Sequence, residues 1–445
     1  MRILFVHQNI PGQYKHIVRH FAADPAHQAA FIGKAKRELP GVRTALYRPA
    51  REPGDATHPY IRMFEGQVLH GQGAVRAGLA LQKDGFTPDV ICAHPGWGEA
   101  LFLKDLFPDA RLMLYCEFFY RADGSDVGFD PERPVTLETR CRIRAKNAAL
   151  LAGLEAMDWG VSPTDWQRRQ HPVPFRPRIS VIHDGVDTDV CRPDPAATVT
   201  LPDGRTLSRG DEVVTYVARN LEPYRGFPTF MRAAAELLRR RPGLHILVVG
   251  GDEVSYGAPP EGGGSWREAM WRETMLDAAG APRPEAERLH VLGKLPYDRY
   301  LSILRVSRAH VYLTYPFVLS WSMLEAMACG AVIVGSDTPP VAEVIEDGVN
   351  GLLTGFFDPM ALADRVETAL DDPDLRAALS SAARRTAVER FDLAAVCLPA
   401  QIRLLEDLHA GRLPAPTSEG WEEEDPRAVR AGGSPCRQAL HGRSS

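Results

Sequence analysis

Short apolar runs alternate with longer amphipathic stretches along most of the chain. Arg2–His7, Ala29–Gly33, Val90–Ala93, Leu112–Cys116, Trp159–Ser162 and Ile179–His183 have the length of buried strands, and each is followed by a helical or loop segment. The rhythm restarts with Val213–Ala218, His245–Gly250, Leu289–Leu292, His310–Thr314 and Ala331–Val334. Helical spacing over Phe227–Arg240 and Ser322–Cys329 falls between these runs. Continuous apolar strands separated by helix-length segments predict parallel sheets covered on both faces. Val135–Met157 has helical spacing and is expected to pack across the first sheet, with Arg142, Arg144 and Lys146 on a solvated face.

The texture changes between His183 and Val213. Cys191–Pro195 is rich in Pro and Asp, and Pro202-Asp203-Gly204 reads as a turn between two short strands, Thr198–Leu201 and Thr206–Ser208. The pattern predicts an α/β chain of two Rossmann-like domains, at 1–190 and 211–390, joined by a linker or hairpin over 191–210. Asp372–Arg390 and Leu393–His409 read as closing helices, the last crossing over 391–410 toward the first domain. The segment 411–445 has few large apolar residues and is expected to be a disordered tail.

Composition narrows the classes. At 445 residues, 44% hydrophobic and 24% charged, the chain is globular and too long for one core. A formal net charge of -5 argues against a nucleic-acid partner. The 7 cysteines form no CxxC pair, which argues against a disulfide framework and a structural zinc site. His16 and His20, four apart, lack a third ligand nearby, so no metal is expected. The first apolar run ends too soon for a signal peptide, and no run approaches the roughly 20 residues that span a bilayer. A cytoplasmic enzyme is the expectation. The first βα turn lacks the GxGxxG fingerprint of a dehydrogenase.

Two tandem open sheets suggest a ligand held between the carboxyl ends of their strands, and the residues with chemistry fall just after strands. Arg219 and Arg225-Gly226 follow Val213–Ala218 and suit a diphosphate, since guanidinium is a planar, permanently charged, multi-donor partner for phosphate. The alternative is a surface loop whose arginines pair with Glu222. After His310–Thr314, Ser320 or Ser322 can cap a helix whose first amides form an anion site. Glu325 lies one turn in, either to accept hydrogen bonds from a ribose diol or simply as an acid near a helix N-terminus. His94-Pro95-Gly96-Trp97 follows a third strand, as a sugar-facing loop or a helix-entry turn with Trp97 packed inward. Glu117-Phe118-Phe119-Tyr120-Arg121 follows a fourth strand. Gly12, after the first strand, could let a backbone amide reach a phosphate.

Ser322–Val334 resembles the core signature of the family-four retaining glycosyltransferases of the GT-B fold, and Glu343–Leu353 resembles its continuation. His183-Asp184-Gly185-Val186-Asp187 resembles the segment before that family's linker. Arg219 and Arg225 resemble its diphosphate clamp, with Arg at the usual Lys position, and Pro11-Gly12-Gln13 resembles its first glycine loop. The matches keep the family's order over residues 1–390. Beside Arg225, two further positions depart: Phe317 stands where the family has the first of two glutamates, and Glu117 where many members have histidine.

The resemblance implies transfer of a sugar from a nucleotide diphosphate sugar, with no other cofactor and no metal, to a carbohydrate, lipid-linked or small-molecule acceptor. It implies retention of configuration, with Gly12, Arg219, Arg225, Ser320, Ser322 and Glu325 on the donor and His94 and Glu117 placing the sugar or acceptor. Peripheral contact with the inner face of a membrane stays open. Rival readings are a catalytically silent nucleotide-sugar-binding protein and a nucleotide-sugar epimerase of the same architecture.

Overall fold

A computed structural model describes residues 1–413, and the tail expected over 411–445 lies from 414 onward outside the described residues. Among the described residues, fifteen strands form three sheets. The first sheet takes β1 (Arg2–Val6), β2 (Gln28–Gly33), β3 (Val42–Leu46), β4 (Val90–Ala93), β5 (Arg111–Tyr115), β6 (Trp159–Ser162) and β7 (Ile179–Val181). A small antiparallel pair follows, β8 (Thr198–Thr200) with β9 (Thr206–Ser208). The last sheet takes β10 (Val213–Asn220), β11 (His245–Gly251), β12 (Leu289–Val291), β13 (Ala309–Tyr312), β14 (Val332–Ser336) and β15 (Leu352–Thr354).

Both large sheets are parallel, in the orders β3-β2-β1-β4-β5-β6-β7 and β12-β11-β10-β13-β14-β15. The strand order reverses between β1 and β4 in one sheet and between β10 and β13 in the other. A crevice opens outside the carboxyl ends of the strands at such a reversal. The core strands are buried end to end, as β4 and β14 are, because helices cover both faces.

The hairpin β8–β9 is not a free linker. Val199, Leu201 and Leu207 pack with Leu247, Val249 and Ile303, so it extends the core of the second domain. The segment read as one helix over Val135–Met157 is two, Leu137–Lys146 and Ala148–Ala156, broken at Asn147. The Asn147 amide spans the Tyr120 backbone, accepting from its N–H at 3.1 Å and donating to its carbonyl at 2.7 Å. The closing helix Leu398–His409 returns to the first sheet, where Leu404, Leu405 and Leu408 pack with Ile3, Phe5 and Trp159.

Candidate active site

The two reversals face each other across a cavity of about 1000 Å³. His7 to Gln13 after β1, His94 to Trp97 after β4 and Glu117, Phe118 and Tyr120 after β5 line it from the first domain. Arg219, Tyr224, Ser255, Tyr256, Phe317 and Trp321 line it from the second.

The floor on the first-domain side is a stack of rings. His94 is 4% exposed, lies against Tyr115 at 5.6 Å and Trp97 at 4.5 Å, and meets His7 edge-on at 5.3 Å. Its Nδ1 accepts from the Gly96 N–H at 3.1 Å, which leaves Nε2 3.3 Å from Glu117 Oε2. Gln13 Nε2 donates to the other Glu117 oxygen at 3.0 Å. Burial opposes ionisation of Glu117, but the adjacent His94 ring and the hydrogen bond from Gln13 outweigh it and hold the carboxyl below the ordinary carboxylate range. His7 is the reverse case: burial, then the neighbouring His94, push it down to about 3, so it is neutral. Its Nδ1 accepts from the Asn9 N–H at 2.9 Å, and its buried Nε2 has no hydrogen-bond partner among the described residues. Gly12 lies on this ring with φ +54, and a Cβ there would come within 2.7 Å of the imidazole. Only glycine fits both the turn and the approach.

Arg219 is exposed at the end of β10 and faces the cavity, with no hydrogen bond or ion pair among the described residues. It does not pair with Glu222, whose carboxylate instead accepts from the backbone amides of Ser255, Tyr256 and Gly257 at 3.0–3.2 Å. Arg225 lies behind the cavity wall. Its Nη1 donates to Thr314 Oγ1 at 2.8 Å and to the Val318 carbonyl at 3.0 Å, so this guanidinium ties the post-β13 loop to the β10 loop. The turn into its helix uses Gly226 at φ +68, where a Cβ would meet Leu313 at 2.4 Å.

Ser320 is the N-cap of the helix Trp321–Ala328, its hydroxyl accepting from the Ser322 N–H. Ser320 and Ser322 sit next to the cavity wall at Trp321 rather than on it. Glu325 is also off the wall, and its two oxygens accept from Tyr297 at 2.8 Å and Tyr300 at 2.6 Å. A carboxylate has about four lone-pair sites, so two phenols leave acceptor capacity.

Sequence reasoning missed three side chains here. Lys146, read as solvated, lines the cavity with Nζ 3.3 Å from the centre of the Tyr120 ring. Burial pushes it down to about 8, with Asp126 pulling the other way. It turns inward because the helix breaks at Asn147, a residue type that favours helix ends. Asp126 accepts from Tyr224 across the domains at 3.0 Å, and burial raises its carboxyl. Asp184 accepts from Tyr115 at 2.9 Å and from the Trp321 indole of the second domain at 2.9 Å, and burial raises it to about 7.

Among the described residues, no group of three or more His, Cys, Asp or Glu side chains could hold a metal, and no helix is long and apolar enough to cross a membrane.

A paired α/β architecture with a polar cleft between two switch points defines the GT-B class. Residues 25–191 match the Glycosyl transferase family 4 group and residues 203–386 match Glycosyl transferases group 1. The chain belongs to the family-four, group 1 glycosyltransferases. It is 30% identical over 201 residues to a D-inositol 3-phosphate glycosyltransferase of Nocardia farcinica, a match over 45% of this chain and 41% of that protein. The match thus spans less than half the length of that relative. Sucrose-phosphate synthase from Thermosynechococcus elongatus has the same fold, with TM-score 0.67 and 18% identity over 92% of this chain and 100% of the other. Anabaena HepE in complex with UDP superposes with TM-score 0.61 and 16% identity over 92% and 100%.

Proposed function

We propose that this protein is a retaining glycosyltransferase that moves a sugar from a nucleoside diphosphate donor to a hydroxyl held on the first domain. The observation that carries the reading is Arg219, an unpaired guanidinium across the cleft from the His94–Glu117–Gln13 network. The UDP complex of HepE supports a uridine donor. In the reaction the bond from the anomeric carbon to the diphosphate breaks, and the acceptor oxygen bonds to the same face. The acceptor's proton passes to an oxygen of the departing diphosphate. Arg219 and the first amides of Trp321–Ala328 stabilise that leaving charge as fixed donors, while Arg225 holds the post-β13 loop in place behind them; one such donor is worth about 2.7–4 kcal/mol of barrier. Glu325 accepts from the ribose. His94 and Glu117 orient the sugar, and no protein nucleophile or further cofactor is required.

Binding and slow hydrolysis of a panel of nucleotide diphosphate sugars test this. One donor is expected to bind and to be hydrolysed slowly. Arg219→Ala should lower the hydrolysis rate about 100-fold, the cost of removing one such donor, and Glu325→Ala should weaken nucleotide binding. Donor binding without hydrolysis or transfer would favour a silent binding protein, and conversion of donor without acceptor an epimerase. If no donor binds, the transferase reading is lost.

A further inference from the structure

The charge of the cavity is opposite to that of the chain. Six cations line it (Lys15, Arg19, Lys34, Arg37, Lys146 and Arg219) against two carboxylates, Glu117 and Asp126, in a chain of formal net charge -5. Arg219 faces the donor side and Lys146 rests on Tyr120. The other four sit together on the first domain. Lys15 and Arg19 come from the segment after β1, four residues apart, and Lys34 and Arg37 from the loop after β2. Those loops are neighbours because β1 and β2 pair along their length, and the Lys34 N–H donates to the Gln8 carbonyl at 3.0 Å.

These four cations are unlike most arginines of the fold. Arg2 pairs with Asp89, Arg240 with Asp364 and Glu367, and Arg241 with Glu212 and Asp371, all at 2.6–2.7 Å. Lys15, Arg19, Lys34 and Arg37 make no ion pair and no side-chain hydrogen bond among the described residues. Their field is felt locally: His16, beside them, is pushed below its ordinary value by burial and then by the charges of Lys15 and Arg19. Unpaired like charges gathered at one cleft edge repel each other and attract an anion.

We propose that the acceptor is anionic, with a phosphate or carboxylate held by Lys15, Arg19, Lys34 and Arg37 while its hydroxyl reaches the donor beside His94 and Glu117. This rests on the transferase reading above. It assigns the first domain's rim to the acceptor because Arg219, on the second domain, faces the cavity on the side given to the donor's diphosphate. Fixed rim charges would raise the encounter rate and make acceptor affinity fall with salt.

The test uses the full chain saturated with UDP and titrated calorimetrically with glucose 6-phosphate, glucuronate and glucose. The anionic sugars are expected to bind at least about tenfold more tightly than glucose, and more weakly as salt rises. A variant with Lys15, Arg19, Lys34 and Arg37 all changed to Gln should lose that preference and retain UDP affinity. These positions are exposed, and a thermal melt confirms that the variant folds. Preference for glucose 6-phosphate identifies a phosphate, preference for glucuronate a carboxylate, and either supports the proposal. Equal, salt-insensitive binding of all three sugars overturns it. Lost UDP affinity in the variant overturns it too, by giving the rim to the donor. Sedimentation with phosphatidylglycerol vesicles that vanishes in the variant, with no binding of either soluble anion, makes the rim a membrane-facing surface and also overturns it. Wild type that binds no UDP and hydrolyses no donor instead sinks the transferase reading itself.

Discussion

Phe317 is 5% exposed, and its ring meets Phe118 at 4.6 Å, Tyr256 at 4.9 Å and Tyr224 at 5.7 Å. Phe118 comes from the first domain, so this ring closes an apolar wall from both sides of the cleft. Where relatives would offer a carboxylate to sugar hydroxyls, this wall offers only ring faces and edges. In the proposed reaction, polar recognition of the sugar then falls to the opposite side, to Glu117, Gln13 and His94. Phe317→Ala should cost about 3–5 kcal/mol, because the ring is buried and its partners cannot all collapse into the gap. Urea unfolding measures this; a loss below about 1 kcal/mol, no more than a single buried methyl group commonly costs, would show that the ring is not packed as described. The absence of a glutamate at position 317 was legible from the sequence alone, but the aromatic wall was not. Its members come from positions 118, 224, 256 and 317, which no local pattern connects.

At the scale of elements, the helix Asp165–Gln170 of the first domain begins against the second domain. Its first two amides, Asp165 N–H and Trp166 N–H, donate to the two oxygens of Glu343 at 2.8 and 2.7 Å. An acceptor that would ordinarily come from the helix's own flank is here borrowed from the other domain, so helix end and closure are coupled. Charge-assisted hydrogen bonds of this kind contribute about 1.5–3 kcal/mol. Glu343→Ala should therefore lower stability by about that amount and loosen the closed arrangement, with Glu343→Gln losing less because one oxygen survives. Small-angle scattering, read beside urea unfolding, checks it: an unchanged radius and midpoint in Glu343→Ala would remove the coupling. The core strands were legible because strands buried on both faces read as continuous apolar runs. The edge strand β3, half-exposed over Val42–Leu46, and the short β15 carry no such run, and neither was read from the pattern. Lys146 was misread for a related reason: helical periodicity says which face a residue occupies only while the helix continues, and this one breaks at Asn147.

Over the whole molecule, buried titratable groups set a direction for stability with pH. Burial pushes His7 and His310 down to about 3, and His171, His183 and His290 down to about 4. All five stay neutral in the folded chain near pH 5, whereas the unfolded chain protonates them below about 6.5. The unfolded state then binds more protons, so stability falls as pH drops from about 6.5 toward 4. Asp184 works the other way. Its folded value of about 7 lies above the unfolded one, so its contribution is present at low pH and lost as pH rises toward 7. Five strongly lowered histidines oppose two raised carboxyls, Asp184 and Asp126, and the balance favours neutral pH. The Tm is expected to be lower at pH 5 than at pH 7.5, and a flat or inverted profile would contradict the burial of these histidines. Asp184→Asn separates the two effects. It removes one of the two opposing carboxyls, so the fall in Tm between pH 7.5 and pH 5 should steepen. It also weakens the bond to the Trp321 indole that joins the first domain to the helix after β13. If the slope is unchanged, Asp184 is already ionised throughout, and the Tyr115 and Trp321 hydrogen bonds outweigh its burial.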